Sequence, residues 1–77
     1  MRLDDLPLNT PAMIAQIDRL ALGESAARRL EAFGFVPGAQ VEAIHAGVAM
    51  GPLALRIGRM TIALRRDQAA AVDVTRR

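Results

Sequence analysis

The side chains able to do chemistry in this chain are few and scattered. His45 is the one histidine, there is no cysteine, and Ser25, Thr10, Thr61 and Thr75 are the candidate hydroxyl nucleophiles. A nucleophilic hydroxyl needs an adjacent base and a strained elbow to expose it. None of these four has such a motif, and only His45 offers an imidazole. His45 falls at the end of a strand beside a loop, where a solvated or hydrogen-bonded role needs no further partner. Asp4 and Asp5 are adjacent, so their side chains diverge in most backbone conformations, and no third oxygen ligand follows at useful spacing. Solvation or capping accounts for them. Without cysteine, and with a single histidine, no ligand pair at helical or hairpin spacing exists for iron or zinc. No GxxxxGKS-like loop is present for a nucleotide. These residues predict a protein that is not an enzyme and carries no cofactor or metal of its own.

Charge points the same way. The ten basic residues are all arginine, against eight acidic ones, for a net charge of +2. Arginine pairs at 28/29, 65/66 and 76/77 could touch phosphate. Small barrels that read nucleic acid, however, stack bases on aromatic side chains beside the basic ones. Phe33 and Phe35 are the only aromatics, and core packing or a helix-stop contact explains both. No nucleic-acid role is expected.

The elements that must position these residues follow from periodicity and turn chemistry. A chain of 77 residues is one domain, residues 1–77, and buries only about 60% of its unfolded surface, so the core must be compact. Ala12-Met13-Ile14-Ala15-Gln16-Ile17 reads as a buried strand, preceded by a turn at Asn9, a residue type that tolerates positive φ. From Glu24 to Phe33, Ala26, Ala27, Leu30 and Phe33 recur at helical spacing opposite Glu24, Ser25, Arg28, Arg29 and Glu31. Gly34 ends this helix in a left-handed conformation, Phe35 folds back on Leu30, and Pro37 forbids resumption. Val36-Pro37-Gly38-Ala39 is a type II turn into a strand from Gln40, with Val41 and Ala43 inward. Ile44 is out of phase, so the strand bulges there or Ile44 covers a second apolar surface.

Leu53–Ile57, Gly58-Arg59 and Met60–Leu64 form a hairpin with a type II′ turn, Ile57 opposite Met60, Leu55 opposite Ile62 and Leu53 opposite Leu64. A helical turn over 65–70, with Asp67 as cap, leads to a last strand at Val72-Asp73-Val74. The sum is a mainly β fold: a small SH3-like five-stranded barrel with an α-helix between strands 1 and 2 and a short helical turn before the last strand. The segment around Val48 and Met50 either folds back on the barrel or contacts a partner or a second copy of the chain. No segment reaches the roughly eighteen apolar residues of a membrane span, and Asp4 and Asp5 stand where a signal peptide needs an apolar run. A cytoplasmic location is expected.

An ordered set of residues resembles the FeoA family. Arg29-Leu30, then Phe33-Gly34-Phe35-Val36-Pro37-Gly38 and Val41, is similar to that family's RL, hydrophobic-Gly-hydrophobic and PG positions, and Gly51-Pro52, Ala63-Leu64-Arg65, Ala69, Val72 and Val74 continue the likeness over nearly the whole chain. Two departures are Asn9, where many relatives have glycine, and Gly58, which precedes Arg59 where many relatives put glycine second. The resemblance implies an SH3-like barrel acting as a cytoplasmic accessory to FeoB, the ferrous iron transporter that carries a cytosolic GTPase domain, with no reaction of its own. Residues expected to meet that partner are Arg28, Arg29, Leu30, Phe33 and Phe35 at the helix end, with Val48 and Met50 in the loop. A second reading is a free-standing regulatory domain of the kind appended to iron-dependent repressors, acting on a DNA-binding protein.

Overall fold

The computed structural model describes residues 1–76, with the side chain of Met50 and all of Arg77 outside the described residues. A 3-10 turn, Leu3–Asp5, precedes strand β1, Ala12–Ile17. Two helices follow, α1 at Arg19–Leu22 and α2 at Glu24–Ala32, then strand β2 at Gln40–Ala46. A second 3-10 turn, Val48–Met50, leads to the hairpin of β3, Leu53–Ile57, and β4, Met60–Leu64. Helix α3, Arg66–Ala69, and strand β5, Val72–Arg76, complete the chain. The strands form one antiparallel sheet in the order β4-β3-β2-β1-β5.

The fold is the expected mainly β, SH3-like one, with five antiparallel strands and α2 between strands 1 and 2; the sheet fits a barrel loosely, because its two edge strands do not pair. Closure would need β4 to pair with β5. Instead the outer edge of β5 is taken by the chain's own beginning: the Val74 N–H donates to the Met1 carbonyl at 2.7 Å, the Met1 amine donates to the Val74 carbonyl at 3.2 Å, and Arg2 bridges Asp73. This docking carries Leu3 and Leu6 into the core, two residues to which the sequence reading gave no place.

Strand β1 joins the two halves of the sheet. It pairs with β2 only at Ala12↔Val41 and Met13↔Gln40, and with β5 along its whole length. Asn9 adopts a φ of 61°, and its N–H donates to the Ala43 carbonyl at 2.7 Å, fixing the loop before β1 to the neighbouring strand. Helix α1 is absent from the sequence reading because four residues are too few to show a period. It is built by local bonds: Asp18 accepts from the Ala21 N–H at 3.2 Å, and the Gly23 N–H donates to the Arg19 carbonyl at 2.8 Å. Leu20 on this turn is 98% exposed.

Helix α2 ends in a Schellman motif. The Gly34 N–H donates to the Glu31 carbonyl and the Phe35 N–H to the Leu30 carbonyl, each at 3.0 Å, the 5→2 and 6→1 bonds of that motif. Gly34 supplies the required positive φ, 106°. Phe35 is thereby delivered into the core beside Leu30. Phe33, expected on the buried face with Ala27 and Leu30, is the C-cap residue and remains 37% exposed. The type II turn follows as expected, closed by the Ala39 N–H on the Val36 carbonyl at 3.0 Å.

Strand β2 places Val41 and Ala43 inward and shifts register between Ala43 and His45, so the out-of-phase Ile44 sits in a bulge. The hairpin has the expected register, Ile57↔Met60, Leu55↔Ile62 and Leu53↔Leu64. Gly58 takes a φ of 57°, whereas Arg59 is not among the positive-φ residues, the combination a type II′ turn needs. Asp67 does not cap α3. The N-cap is Arg65, without a side-chain bond, and Asp67 lies inside the first turn with its carboxylate 3.4 Å from Arg65 Nε.

Two substitutions test this account by urea denaturation. Gly34→Ala meets only an ordinary van der Waals contact, its Cβ 3.7 Å from Ile57 Cγ1, so its cost is conformational, about 1–2 kcal/mol. Leu3→Ala empties a fully buried site and is expected to cost about 2–5 kcal/mol. A neutral Leu3→Ala would mean the N-terminal segment is not part of the folded core.

Candidate functional site

A cleft lies where β4 faces the end of α2. Its lining residues come from three elements: Arg29, Leu30 and Phe33 from α2 and its cap, Ile62, Ala63 and Leu64 from β4, and Arg65 and Gln68 from the α3 turn. The cavity is about 390 Å³. Buried Leu30 and Leu64 form its floor, with Phe33, half-buried Ile62 and exposed Ala63 as its apolar walls. Arg29 and Arg65 stand among the lining residues, and no carboxylate does. Arg29 forms no ion pair among the described residues, while Arg65 has only the exposed contact with Asp67.

Of the residues expected at a contact surface, the structure brings together Arg29, Leu30 and Phe33. It separates the others. Arg28 does not line the cleft; its Nε donates to Glu24 Oε2 at 3.3 Å, one turn back along the helix. Phe35 is fully buried and so drops out as a contact residue: the Schellman bond that stops the helix turns its ring inward. Val48 is 93% exposed and does not fold back on the sheet, because the 3-10 turn carrying it is held by its own backbone, the Gly51 N–H on the Val48 carbonyl and the Gly47 N–H on the Pro52 carbonyl. Met50, at the end of that turn, has its side chain outside the described residues.

Sequence reasoning missed the β4 wall and Gln68. The signal was present in the hairpin, which put Ile62 and Leu64 on one face. Only a closed barrel would have covered that face completely.

The wall formed by α2 is fixed by an exposed ion network. Arg19 Nε and one terminal nitrogen donate to Glu24, at 3.1 and 2.5 Å, while the other terminal nitrogen donates to Glu31 at 2.6 Å. The guanidinium is held well above its ordinary pKa by its hydrogen bonds to Glu24 and then Glu31. Glu24 is held below the usual carboxylate range, chiefly by the hydrogen bond from Arg19. Arg19 thus ties α1 across the first and last turns of α2. At the other end of the chain, Arg2 grips Asp4 through two bonds, at 2.9 and 2.8 Å, which gives Asp4 a structural role.

His45 lies exposed on β2 beside the bulge. Among the described residues no three His, Cys, Asp or Glu side chains converge, so the donors present do not fit a ferrous or zinc centre, which needs three or four. A second hollow, lined by Gln40, Val41, Glu42, Arg56 and Gly58, contains its own charge pair, Glu42 and Arg56 at 3.9 Å. No helix among the described residues is long and apolar enough to cross a membrane.

The described residues thus form a small, open, SH3-like sheet with an apolar recess edged with arginine. Comparison with known proteins places it. The FeoA domain model matches residues 1–76. FeoA of Stenotrophomonas maltophilia, solved with zinc and described as a prokaryotic SH3 domain protein, is 37% identical over 96% of this chain and 88% of its own, with a TM-score of 0.86. Iron(II) transport protein A of Clostridium thermocellum is 30% identical with a TM-score of 0.87, over 99% of this chain and 45% of its own. The present chain thus spans less than half the length of that relative. IdeR of T. acidophilum shares the fold, with a TM-score of 0.81 at 21% identity over 34% of its chain. No curated protein sequence matches the chain. The chain belongs to the FeoA family, whose members are accessory SH3-like proteins related to iron(II) transport.

The Arg19 network sets a pH dependence. Because Glu24 has a lower pKa folded than unfolded, its contribution is present above the ordinary carboxylate value of 4.5. That contribution is lost as pH falls through the lower folded value. The urea midpoint should therefore drop on acidification below about pH 4.5, and Glu24→Gln should flatten part of that drop while leaving the pH 6–8 region level. An unchanged acid limb in Glu24→Gln would mean that the network does not steady α2.

Proposed function

We propose that this protein is an accessory module of bacterial ferrous iron uptake that acts in the cytoplasm by docking on the cytosolic GTPase portion of a FeoB-type transporter. The observation that carries the reading is the cleft between α2 and β4, with its apolar floor, two arginines and no lining carboxylate. Such a recess suits an apolar anchor from a partner whose surface is acidic. The module itself performs no reaction; hydrolysis and transport belong to its partner, and the module adjusts the partner's assembly or activity. Family membership supports the iron-uptake context. The likeness to IdeR concerns the fold alone and does not favour action on a DNA-binding protein.

The test is calorimetric titration against the cytosolic GTPase portion of the transporter from the same organism, with and without guanine nucleotide. Saturable binding is expected. Arg29→Glu and Phe33→Ala should each weaken it about tenfold or more, as central anchors and desolvated charges do. Arg28→Glu, whose side chain faces Glu24, should change affinity less. Absence of heat up to about 1 mM, where binding free energy is only about 4 kcal/mol, would overturn direct docking.

A further inference from the structure

The two edges of this sheet are treated differently. The edge of β5 is covered by Met1 and Arg2, but among the described residues β4 has β3 as its only strand neighbour. Natural edge strands are usually guarded by lysine, proline, a bulge or an overlying segment. Met60-Thr61-Ile62-Ala63-Leu64 contains no charge and no proline, and its pairing with β3 runs without a register shift.

Hairpin geometry says which groups are free. In a two-residue hairpin the residues flanking the loop, here Ile57 and Met60, exchange both ladder bonds, and hydrogen-bonded pairs then alternate with non-hydrogen-bonded ones. Ile62 and Leu64 therefore bond to Leu55 and Leu53, whereas Thr61 and Ala63 turn their N–H and C=O groups outward. No strand or turn among the described residues takes them up. The cleft runs along this same edge, since Ile62, Ala63 and Leu64 form one of its walls.

We infer that the β4 edge accepts an extended segment of a partner protein as a sixth strand, the segment placing one large apolar side chain in the cleft between Phe33 and Ile62 and acidic residues against Arg29 and Arg65. Backbone pairing with Thr61 and Ala63 supplies affinity, and the cleft and its arginines supply selectivity. Charge decides against a second copy of this chain as the occupant. An antiparallel copy centred on Ile62 would set Arg59 of one strand against Arg65 of the other, like charges directly opposed. A segment with carboxylates on both sides of its apolar anchor meets the reverse situation. The inference rests on the docking reading for the identity of the partner, whose segment this would be.

Two probes separate the two claims. The first is the capped peptide Ser-Asp-Val-Leu-Val-Asp-Ser, with the counterpart in which both Asp are Lys; the second is the GTPase portion of the transporter. Amide NMR and hydrogen exchange on the full chain are expected to show the acidic peptide shifting Phe33 and the Thr61–Arg65 amides and slowing exchange at Thr61 and Ala63 by about tenfold or more. The lysine counterpart should bind at least about tenfold more weakly. Ala63→Pro, which removes an outward N–H and no ladder bond, should abolish the slowing at Thr61. Arg29→Glu combined with Arg65→Glu, which leaves the backbone intact, should reverse the preference between the peptides.

The same footprint with the GTPase portion supports both claims. Binding of the GTPase portion without protection of Thr61 and Ala63 would overturn this inference and leave the docking reading standing. Peptide binding at the edge, with no response to the GTPase portion, would do the opposite. Equal binding of the two peptides, or protection of Thr61 and Ala63 by self-association of the free protein, would overturn the acidic occupant.

Discussion

The bond from the Phe35 N–H to the Leu30 carbonyl, made possible by the positive φ at Gly34, is the constraint on which the rest of this small protein depends. A chain of 77 residues without disulfides has little apolar area to spare. It has two aromatic side chains, and only one reaches the core. The Schellman stop does three things at once: it satisfies the open carbonyls of the helix, reverses the chain toward β2, and seats Phe35 beside Leu30 at the centre of the core cluster. Without that stop, Phe35 would follow the helix outward, and the type II turn that starts β2 would begin in the wrong place.

The same geometry leaves a surface unfinished. Phe33 is the cap residue two positions earlier, in right-handed helical conformation, and it points along the helix face toward β4 instead of into the core. The N-terminal segment seals the edge of β5 and contributes Leu3 and Leu6 beneath it, yet among the described residues nothing equivalent seals β4. A cleft of about 390 Å³ lies beside that bare strand edge.

Those parts of the fold set by neighbouring residues were legible in the sequence. The hairpin register follows from Gly58 and the alternation of Leu53, Leu55 and Ile57 with Ile62 and Leu64, and the helix end follows from Gly34 and Pro37; the phase error at Ile44 left two alternatives, of which the structure takes the bulge. What depended on distant partners was not legible. Leu3 and Leu6 look like any apolar residues in a polar leader until β5 is placed beside them. Closure of a barrel is a property of shear and tilt, which no local pattern reports. Helix α1 has too few residues for a period, and Asp67 resembles a cap without being one because the helix starts two residues earlier than its side chain could serve. At the site, Arg29, Leu30 and Phe33 could be found from the amphipathic helix, and Arg28 and Phe35 were included because spacing alone does not say which side of a helix end faces a cleft.

Electrostatics then distinguishes among arginines that composition treats alike. Arg19 is committed to Glu24 and Glu31, Arg2 to Asp4, Arg28 to Glu24, and Arg66 to the Gly51 carbonyl at 3.2 Å. These side chains hold α1 to α2, the N-terminal turn to itself, and α3 to the loop before β3. Arg29 makes no such commitment, and Arg65 only an exposed one with Asp67. Both line a recess where an apolar floor and a bare backbone edge meet. A net charge of +2 is too small to steer a partner from a distance. Any selectivity for an acidic partner must therefore come from these two local charges acting at contact, in a recess whose apolar walls keep water and counterions from screening them fully.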